Sequence, residues 1–269
     1  MTRYAVIGDP VSHSKSPLIH SLFAEQTGEE IEYEKIRVTE PELAAFVRDF
    51  FAAGGGGLNA TLPHKEAVYS MADHASERAR LARAANTLWV DRNQSLQADN
   101  TDGAGLVRDL KHNLGVVLQD RSVLILGAGG SARGVLPAII TEKPAAVTVL
   151  NRTQSRAQKI QQEYNSVYPL ETGPLDISPP AGFDVIINAT SSSIAGELPP
   201  LQPAIIGPDC SCYDLMYSDQ PTPFMLWAGN NGAERVVDGL GMLVEQAAES
   251  FLIWRGVRPD TQSVIAALR

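Results

Sequence analysis

The stretch RSVLILGAGGSARG, residues 121–134, decides the fold. A continuous apolar run from Val123 to Leu126 leads directly into a glycine turn and then into helix-forming residues. Unbroken rather than alternating hydrophobicity marks a strand covered on both faces, as in a parallel sheet. Gly127, Gly129 and Ala132 carry the GxGxxG/A spacing that joins strand to helix in dinucleotide-binding folds. There the first position permits a tight turn, the second lets main chain approach a pyrophosphate, and the third keeps helix and strand close. The helix N-terminus attracts the anion. Ala128, Gly130 and Ser131 complete the expected cofactor-binding turn.

The segments that follow keep this character. AAVTVLNR (145–152) reads as a second buried strand and TQSRAQKIQQEY as its helix. FDVIINAT (183–190), CSCYDLMY (210–217) and ERVVDG (234–239) read as further strands, interrupted by Pro/Gly-rich loops at 171–182 and 194–208. The end of the second strand bears on the cofactor. An NAD site usually places a carboxylate there for the ribose hydroxyls. This chain has Asn151, Arg152 and Thr153, then Arg156. Two guanidinium groups can clasp a phosphate, and the helix dipole gives arginine no other reason to sit at a helix start. The expected cofactor is NADP.

The first hundred residues mix strands and helices more closely. RYAVIG (3–8) reads as a strand; the helix after it has Ser16 as expected N-cap, Pro17 at its first turn and Gly28 at its end. IEYEKIRV (31–38) alternates as a strand, and Thr39 with Glu42 forms a capping box for the next helix, which GGGG (54–57) stops. LNAT is a short strand before the helix PHKEAVYSMA; SERARLARAA (76–85) is helical and NTLWVD (86–91) a strand. NTDG at Asp102 enters a helix carrying Leu106, Val107, Leu110 and Leu114, expected to bridge two domains. An apolar helix spans 239–256, and a short one follows Asp260. The fold class is therefore α/β: two α/β domains, the second a Rossmann-type doubly wound parallel sheet. The expected domains are 1–102, for substrate binding and catalysis, and 103–238, for NADP.

Composition narrows the function classes. The chain has 269 residues, 44% hydrophobic and 20% charged, with a formal net charge of −9. That balance argues against a nucleic-acid or acidic-membrane surface. No apolar run nears the roughly 20 residues of a membrane span, and the apolar part of MTRYAVIGDP is too short for a signal peptide. The expected location is the cytoplasm, with Cys210 and Cys212 as reduced thiols in a strand. Two thiols cannot make a structural zinc site, and no HExxH spacing occurs, so no metal is expected.

The polar residues of the first half each have a bland explanation: Ser16 and Asp102 as helix caps, Asn86 as a turn residue, Lys65 as a surface lysine. Together they form a pattern. SHSKSP (12–17), NATLPHK (59–65), the run Ala84–Thr87, DNTDG (99–103), GAGGSAR (127–133), NRT (151–153), NATSS (188–192) and DGLGMLVEQA (238–247) occur in order along the whole chain. This set resembles the shikimate dehydrogenase family. The resemblance implies two α/β domains flanking a cleft, with the C-terminal helices 239–269 returning to the first domain. It implies reversible NADPH-dependent reduction of 3-dehydroshikimate to shikimate in aromatic amino acid biosynthesis, by a monomer or homodimer. By matching position, Lys65 and Asp102 would be the catalytic pair. Ser14, Ser16, Asn59, Thr61, Asn86 and Gln246 would bind substrate, and Gly239 and Met242 would lie at the nicotinamide. Ala60 and Ser193 depart from residues common in the family, Val and Gly.

A hydride transfer between alcohol and nicotinamide needs a proton moved on the same oxygen by a group within hydrogen-bond reach. Histidine is the commoner choice, which makes His64 the rival; the family pattern favours Lys65. Two other readings stay open at this stage. One is an NAD-preferring quinate/shikimate dehydrogenase. The other is a non-catalytic NADP-binding regulatory protein, which would need no Lys/Asp pair.

Overall fold

A computed structural model describes residues 1–176, 182–192 and 196–269; Ser193 lies outside the described residues. The chain forms two compact units, Met1–Arg108 with Met242–Arg269, and Asp109–Gly241.

The first unit begins with β1 (Thr2–Gly8), α1 (Ser16–Thr27), β2 (Ile31–Arg37), α2 (Leu43–Ala52), β3 (Gly57–Ala60) and α3 (Lys65–Met71). It continues through β4 (His74–Ala75), α4 (Glu77–Ala82), β5 (Thr87–Val90), β6 (Leu96–Asp99) and α5 (Asp102–Arg108). Its sheet order is β2-β1-β3-β5-β6-β4. β2, β1 and β3 run parallel, while β3 with β5 and β5 with β6 are antiparallel, so the sheet is mixed. Parallel neighbours need crossovers, which α1 and α2 supply; β5 and β6 need only a short hairpin. On one side Ala5, Ile7, Leu58 and Leu88 pack against Leu43, Val47 and Phe50 of α2.

The second unit contains β7 (Ser122–Leu126), α6 (Gly130–Thr141), β8 (Ala146–Leu150), α7 (Gln154–Tyr164) and β9 (Glu171–Gly173). Then come β10 (Phe183–Asn188), β11 (Ile206–Asp214), α8 (Pro223–Asn230) and β12 (Arg235–Val237). All neighbours in the order β12-β11-β10-β7-β8-β9 are parallel. Counted along the chain this is the 3-2-1-4-5-6 arrangement of doubly wound dinucleotide-binding sheets, which reverses beside β7. Leu124, Leu126, Leu150 and Ile186 share its core with Phe224 of α8. Cys210 and Cys212 lie on one face of β11, buried and without a disulfide, their sulfurs 3.9 Å apart.

The chain returns through α9 (Leu240–Arg255), which from Met242 onward belongs to the first unit, and ends in α10 (Thr261–Leu268). Val244, Ala247 and Phe251 of α9 and Val264 of α10 pack with Ile19 and Phe23 of α1. α5 and α9 approach closely because residue 105 is glycine: a Cβ there would sit 2.7 Å from the main-chain nitrogen of Gln246. Among the described residues no helix is long and apolar enough to cross a membrane.

Several local expectations need correction. Ser16 does not cap α1: it is the first helical residue, Lys15 holds the cap position, and Ser14 Oγ accepts the Ser16 N–H at 3.3 Å. Gly28 does close that helix, with φ of 69°. The helix entered at Asp102 stops being regular at Arg108; Asp109–Asn113 form one wider π turn, so Leu114 lies beyond it. The loop read at 171–182 contains β9, and the loop at 194–208 contains a short 3-10 turn, Pro203–Ile205, and the start of β11.

Candidate active site

Lys65 is not a surface lysine. It opens α3 with 8% of its surface exposed, and its Nζ lies 2.6 Å from Asp102 Oδ2 across 37 chain positions. Asp102, 4% exposed, is the first residue of α5 rather than the residue before it. Its other oxygen, Oδ1, accepts from Asn86 Nδ2 at 2.9 Å. A buried ion pair is stable only when its remaining lone pairs are satisfied, and the asparagine meets that need.

The loop before α5 is anchored so that the carboxylate points where it does. Asp99 takes two 2.7 Å bonds from Arg78 and a third from Ser76. Asn100 Nδ2 donates to the Ala84 carbonyl at 2.9 Å, while its Oδ1 accepts the Asp102 N–H at 3.1 Å. The Thr101 N–H donates to Asn86 Oδ1 at 2.8 Å. Because a main-chain N–H can only donate, this bond fixes which end of the Asn86 amide faces Asp102.

Asn59 and Gln246 belong to the same cluster. Asn59 Nδ2 donates to the Asn86 carbonyl at 3.0 Å and to Ser250 Oγ at 3.1 Å; its Oδ1 accepts from the Tyr33 hydroxyl at 2.7 Å. Gln246 Oε1 accepts from Asn86 Nδ2 at 3.0 Å, and Gln246 Nε2 donates to the Leu243 carbonyl. Ser14 and Ser16 form a separate pair, with hydroxyls 3.1 Å apart at the start of α1. Thr61 follows β3, its main chain bonded to Ile7 and His64.

His64 is fully buried, and its Nε2 meets the Val38 carbonyl at 2.7 Å. A carbonyl only accepts, so that nitrogen carries the proton. The contact ties the ring to main chain, whereas the lysine next to it holds the carboxylate.

Burial pushes the Tyr33 phenol well above the ordinary tyrosine range, against a smaller opposing pull from the Ser16 hydroxyl. His20 stacks on Tyr33 with ring centroids 4.1 Å apart and planes 7° from parallel. Burial lowers His20 to about 3, offset in part by Asn59, and the imidazole is therefore neutral.

In the second unit the glycine turn has the form its spacing implies. Gly127 has φ of 106°, and a Cβ there would stand 2.9 Å from the Ala189 carbonyl oxygen. Gly129 holds the N-cap position of α6, and beside it a Cβ would meet nothing within 4 Å. Ala132 is buried; Gly130 and Ser131 are half-buried in the first turn of the helix. At the end of β8, Asn151 Nδ2 donates to the Thr153 carbonyl at 2.8 Å and shapes the entry to α7. Arg152, Thr153 and Arg156 are exposed, and among the described residues neither arginine has an ion-pair partner. Open space beside Gly129 and two uncommitted guanidinium groups after β8 fit a phosphorylated dinucleotide. Gly239 closes against the β11 end, donating its N–H to the Met216 carbonyl at 3.0 Å; Met242 starts the return to the first unit.

Sequence reasoning gives no role to Tyr33, Thr87, Thr101 or Ser250, although Thr87 and Thr101 stand inside two of the quoted motifs, Ala84–Thr87 and DNTDG. Ser250 carries a signal of its own, a hydroxyl on the helix face that also carries Ala247 and Phe251.

Comparison with known proteins decides the family. Residues 6–88 match the family model for the shikimate dehydrogenase substrate binding domain, 109–195 that for shikimate / quinate 5-dehydrogenase, and 239–269 that for the shikimate 5'-dehydrogenase C-terminal domain. The shikimate dehydrogenase (NADP(+)) of Alkalilimnicola ehrlichii is 54% identical over 268 residues, 99% of this chain and 98% of that protein. The chain belongs to the shikimate dehydrogenase family.

Solved structures agree with that placement. An Ael1 enzyme from Pseudomonas putida has a TM-score of 0.93 at 43% identity, covering 100% of this chain and 98% of that one. The shikimate 5-dehydrogenase of Thermus thermophilus, solved in complex with NADP(H) and shikimate, has a TM-score of 0.88 at 32% identity, covering 99% and 98%. Membership in the shikimate dehydrogenase family makes the chain an oxidoreductase of two α/β units, one with a fully parallel Rossmann-type sheet.

Proposed function

We propose that this protein catalyses the reversible NADPH-dependent reduction of 3-dehydroshikimate to shikimate, with Lys65 and Asp102 handling the proton. The observation that carries the reading is the buried 2.6 Å contact between those two side chains. NADPH, when bound, supplies the hydride. In the reducing direction the Lys65 ammonium hydrogen-bonds the substrate ketone, polarises it, and donates the proton its oxygen needs as it becomes a hydroxyl. In the oxidising direction the same nitrogen takes that proton back. Asp102 holds the ammonium in place and accepts from the substrate hydroxyl.

Ser14 and Ser16 are suited to the substrate carboxylate, as paired hydroxyls at a helix N-terminus. Thr61, Asn59, Asn86 and Gln246 complete the substrate-binding set. Gly127 to Ala132 cradle the pyrophosphate; Asn151, Arg152, Thr153 and Arg156 hold the 2′-phosphate; Gly239 and Met242 lie at the nicotinamide. The relative from Alkalilimnicola ehrlichii, named for NADP(+), supports the cofactor. The place of this reaction is aromatic amino acid biosynthesis in the cytoplasm, where free Cys210 and Cys212 fit the reducing conditions.

The test is consumption of NADPH with 3-dehydroshikimate. Lys65→Ala is expected to remove most of kcat, on the order of a hundredfold or more, with a smaller change in KM. The substitution leaves a buried carboxylate unpaired, so circular dichroism must first show that the variant folds. A loss confined to KM, or a normal Lys65→Ala beside a His64→Gln variant without activity, would overturn the assignment.

A further inference from the structure

Behind the ion pair lies a row of polar side chains, three of which, Tyr33, Ser250 and Thr87, have no part in the proposed binding roles. Its members come from five elements or their borders, and every one is at least half-buried. Ser250, fully buried on α9, meets Asn59 Nδ2 at 3.1 Å and Thr87 Oγ1 at 2.8 Å. Thr87 Oγ1 donates to Asn86 Oδ1 at 2.9 Å, and Asn86 Nδ2 donates to Asp102 Oδ1 at 2.9 Å.

The direction of each bond follows from the donors available. The Asn86 carbonyl, an acceptor only, fixes Asn59 Nδ2 on that side and leaves Asn59 Oδ1 to accept from Tyr33. Thr87 has one proton, committed to Asn86 Oδ1; the Ser250 proton has two acceptors, Thr87 Oγ1 at 2.8 Å and the Gln246 carbonyl at 3.2 Å, and the shorter contact makes Ser250 the donor to Thr87. The donors then run one way: Tyr33 to Asn59, Asn59 to Ser250, Ser250 to Thr87, Thr87 to Asn86, Asn86 to Asp102. We propose that Tyr33, Ser250 and Thr87 are positioning residues, a one-directional hydrogen-bond chain that aims the Asn86 amide at Asp102 and thereby holds the Lys65–Asp102 pair in register. The proposal rests on the catalytic reading of that pair.

Donors aligned head to tail polarise one another, and a hydrogen bond donated to any carboxylate favours its charged form. The far end is fixed too, since burial keeps the Tyr33 phenol protonated and the stacked His20 ring neutral. Lys65 of α3 is the charged group against Asp102. The ionisable groups of the neighbouring elements have partners of their own. Asp99 is bound by Arg78, Glu245 of α9 by Arg108 and Arg258, and His64 by the Val38 carbonyl.

Thr87→Val keeps the shape of the side chain and removes its hydroxyl. Losing one such bond is expected to lower kcat about fivefold. KM for 3-dehydroshikimate should change less than about twofold, and the acid limb of the kcat–pH profile should move to higher pH. Thr87→Ser, which restores the hydroxyl, should bring the profile back. Ser250→Ala, one link further away, should move the same limb in the same direction and serves if Thr87→Val does not fold. A folded Thr87→Val with the parent's kcat and profile overturns the chain, as does a loss of activity that merely follows the folded fraction. With Lys65→Ala inactive, that result removes the chain alone; a fully active Lys65→Ala removes the catalytic reading itself.

Discussion

At the scale of single residues, the molecule separates guanidinium groups with partners from those without. Arg78, Arg133 and Arg255 each hold a carboxylate. Arg152 and Arg156 hold none among the described residues and stand exposed where β8 gives way to α7. Replacing both with alanine is expected to raise KM for NADPH roughly tenfold, while KM for NADH stays nearly constant, because only the former has a 2′-phosphate. Steady-state kinetics with both cofactors measures this, and the difference should shrink at high salt because the groups are exposed. Equal effects on the two cofactors would refute the 2′-phosphate role. The type of these residues was legible in the sequence, as was the absence of a carboxylate beside them. The pairing of Lys65 with Asp102 was legible only through resemblance, since nothing local relates two side chains 37 positions apart.

At the scale of elements, legibility followed how much each segment determines its own structure. β7, β8 and β10 declare themselves because a strand buried on both faces is apolar nearly throughout. β6 does not: Leu96 and Ala98 alternate over four residues, and its place is set by the hairpin with β5 and by Asp91 Oδ1, which accepts the N–H groups of Asn93 and Ser95. β4 has two residues and β9 three, too few for any period. α8 carries a signal in its boundary rather than its period, Thr222 as N-cap with Pro223 in the first turn. The close approach of α5 to α9 depends on an absent side chain. Gly105→Ala would press a methyl group onto the Gln246 main chain, which cannot rotate away. A loss of about 1–3 kcal/mol is expected, measurable as a lower midpoint in thermal or urea denaturation. An unchanged midpoint would mean that the helices separate without cost.

At the scale of the whole molecule, the two units differ in how the chain makes them. Asp109–Gly241 is one continuous segment with its own parallel sheet and core. The other unit is assembled from Met1–Arg108 and Met242–Arg269. Expressed alone, residues 109–241 should therefore unfold cooperatively on heating, followed by circular dichroism. Residues 1–108 alone should not, because Ile19 and Phe23 lose Val244, Ala247, Phe251 and Val264. A cooperative transition in the shorter N-terminal fragment would show that α9 and α10 are dispensable to its core.

This divided construction has a consequence for the protein as it leaves the ribosome. Asn59, Thr87 and Thr101 emerge early, yet the serine that joins them is encoded at position 250, beyond an entire intervening unit. At a translation rate of about 5–20 residues per second, the wait is on the order of ten seconds. Over that interval the nascent N-terminal segment shows water the apolar face that α9 later covers. The last-made helix is thus a keystone, and chaperones that grip apolar nascent chain have their longest opportunity on this half of the molecule.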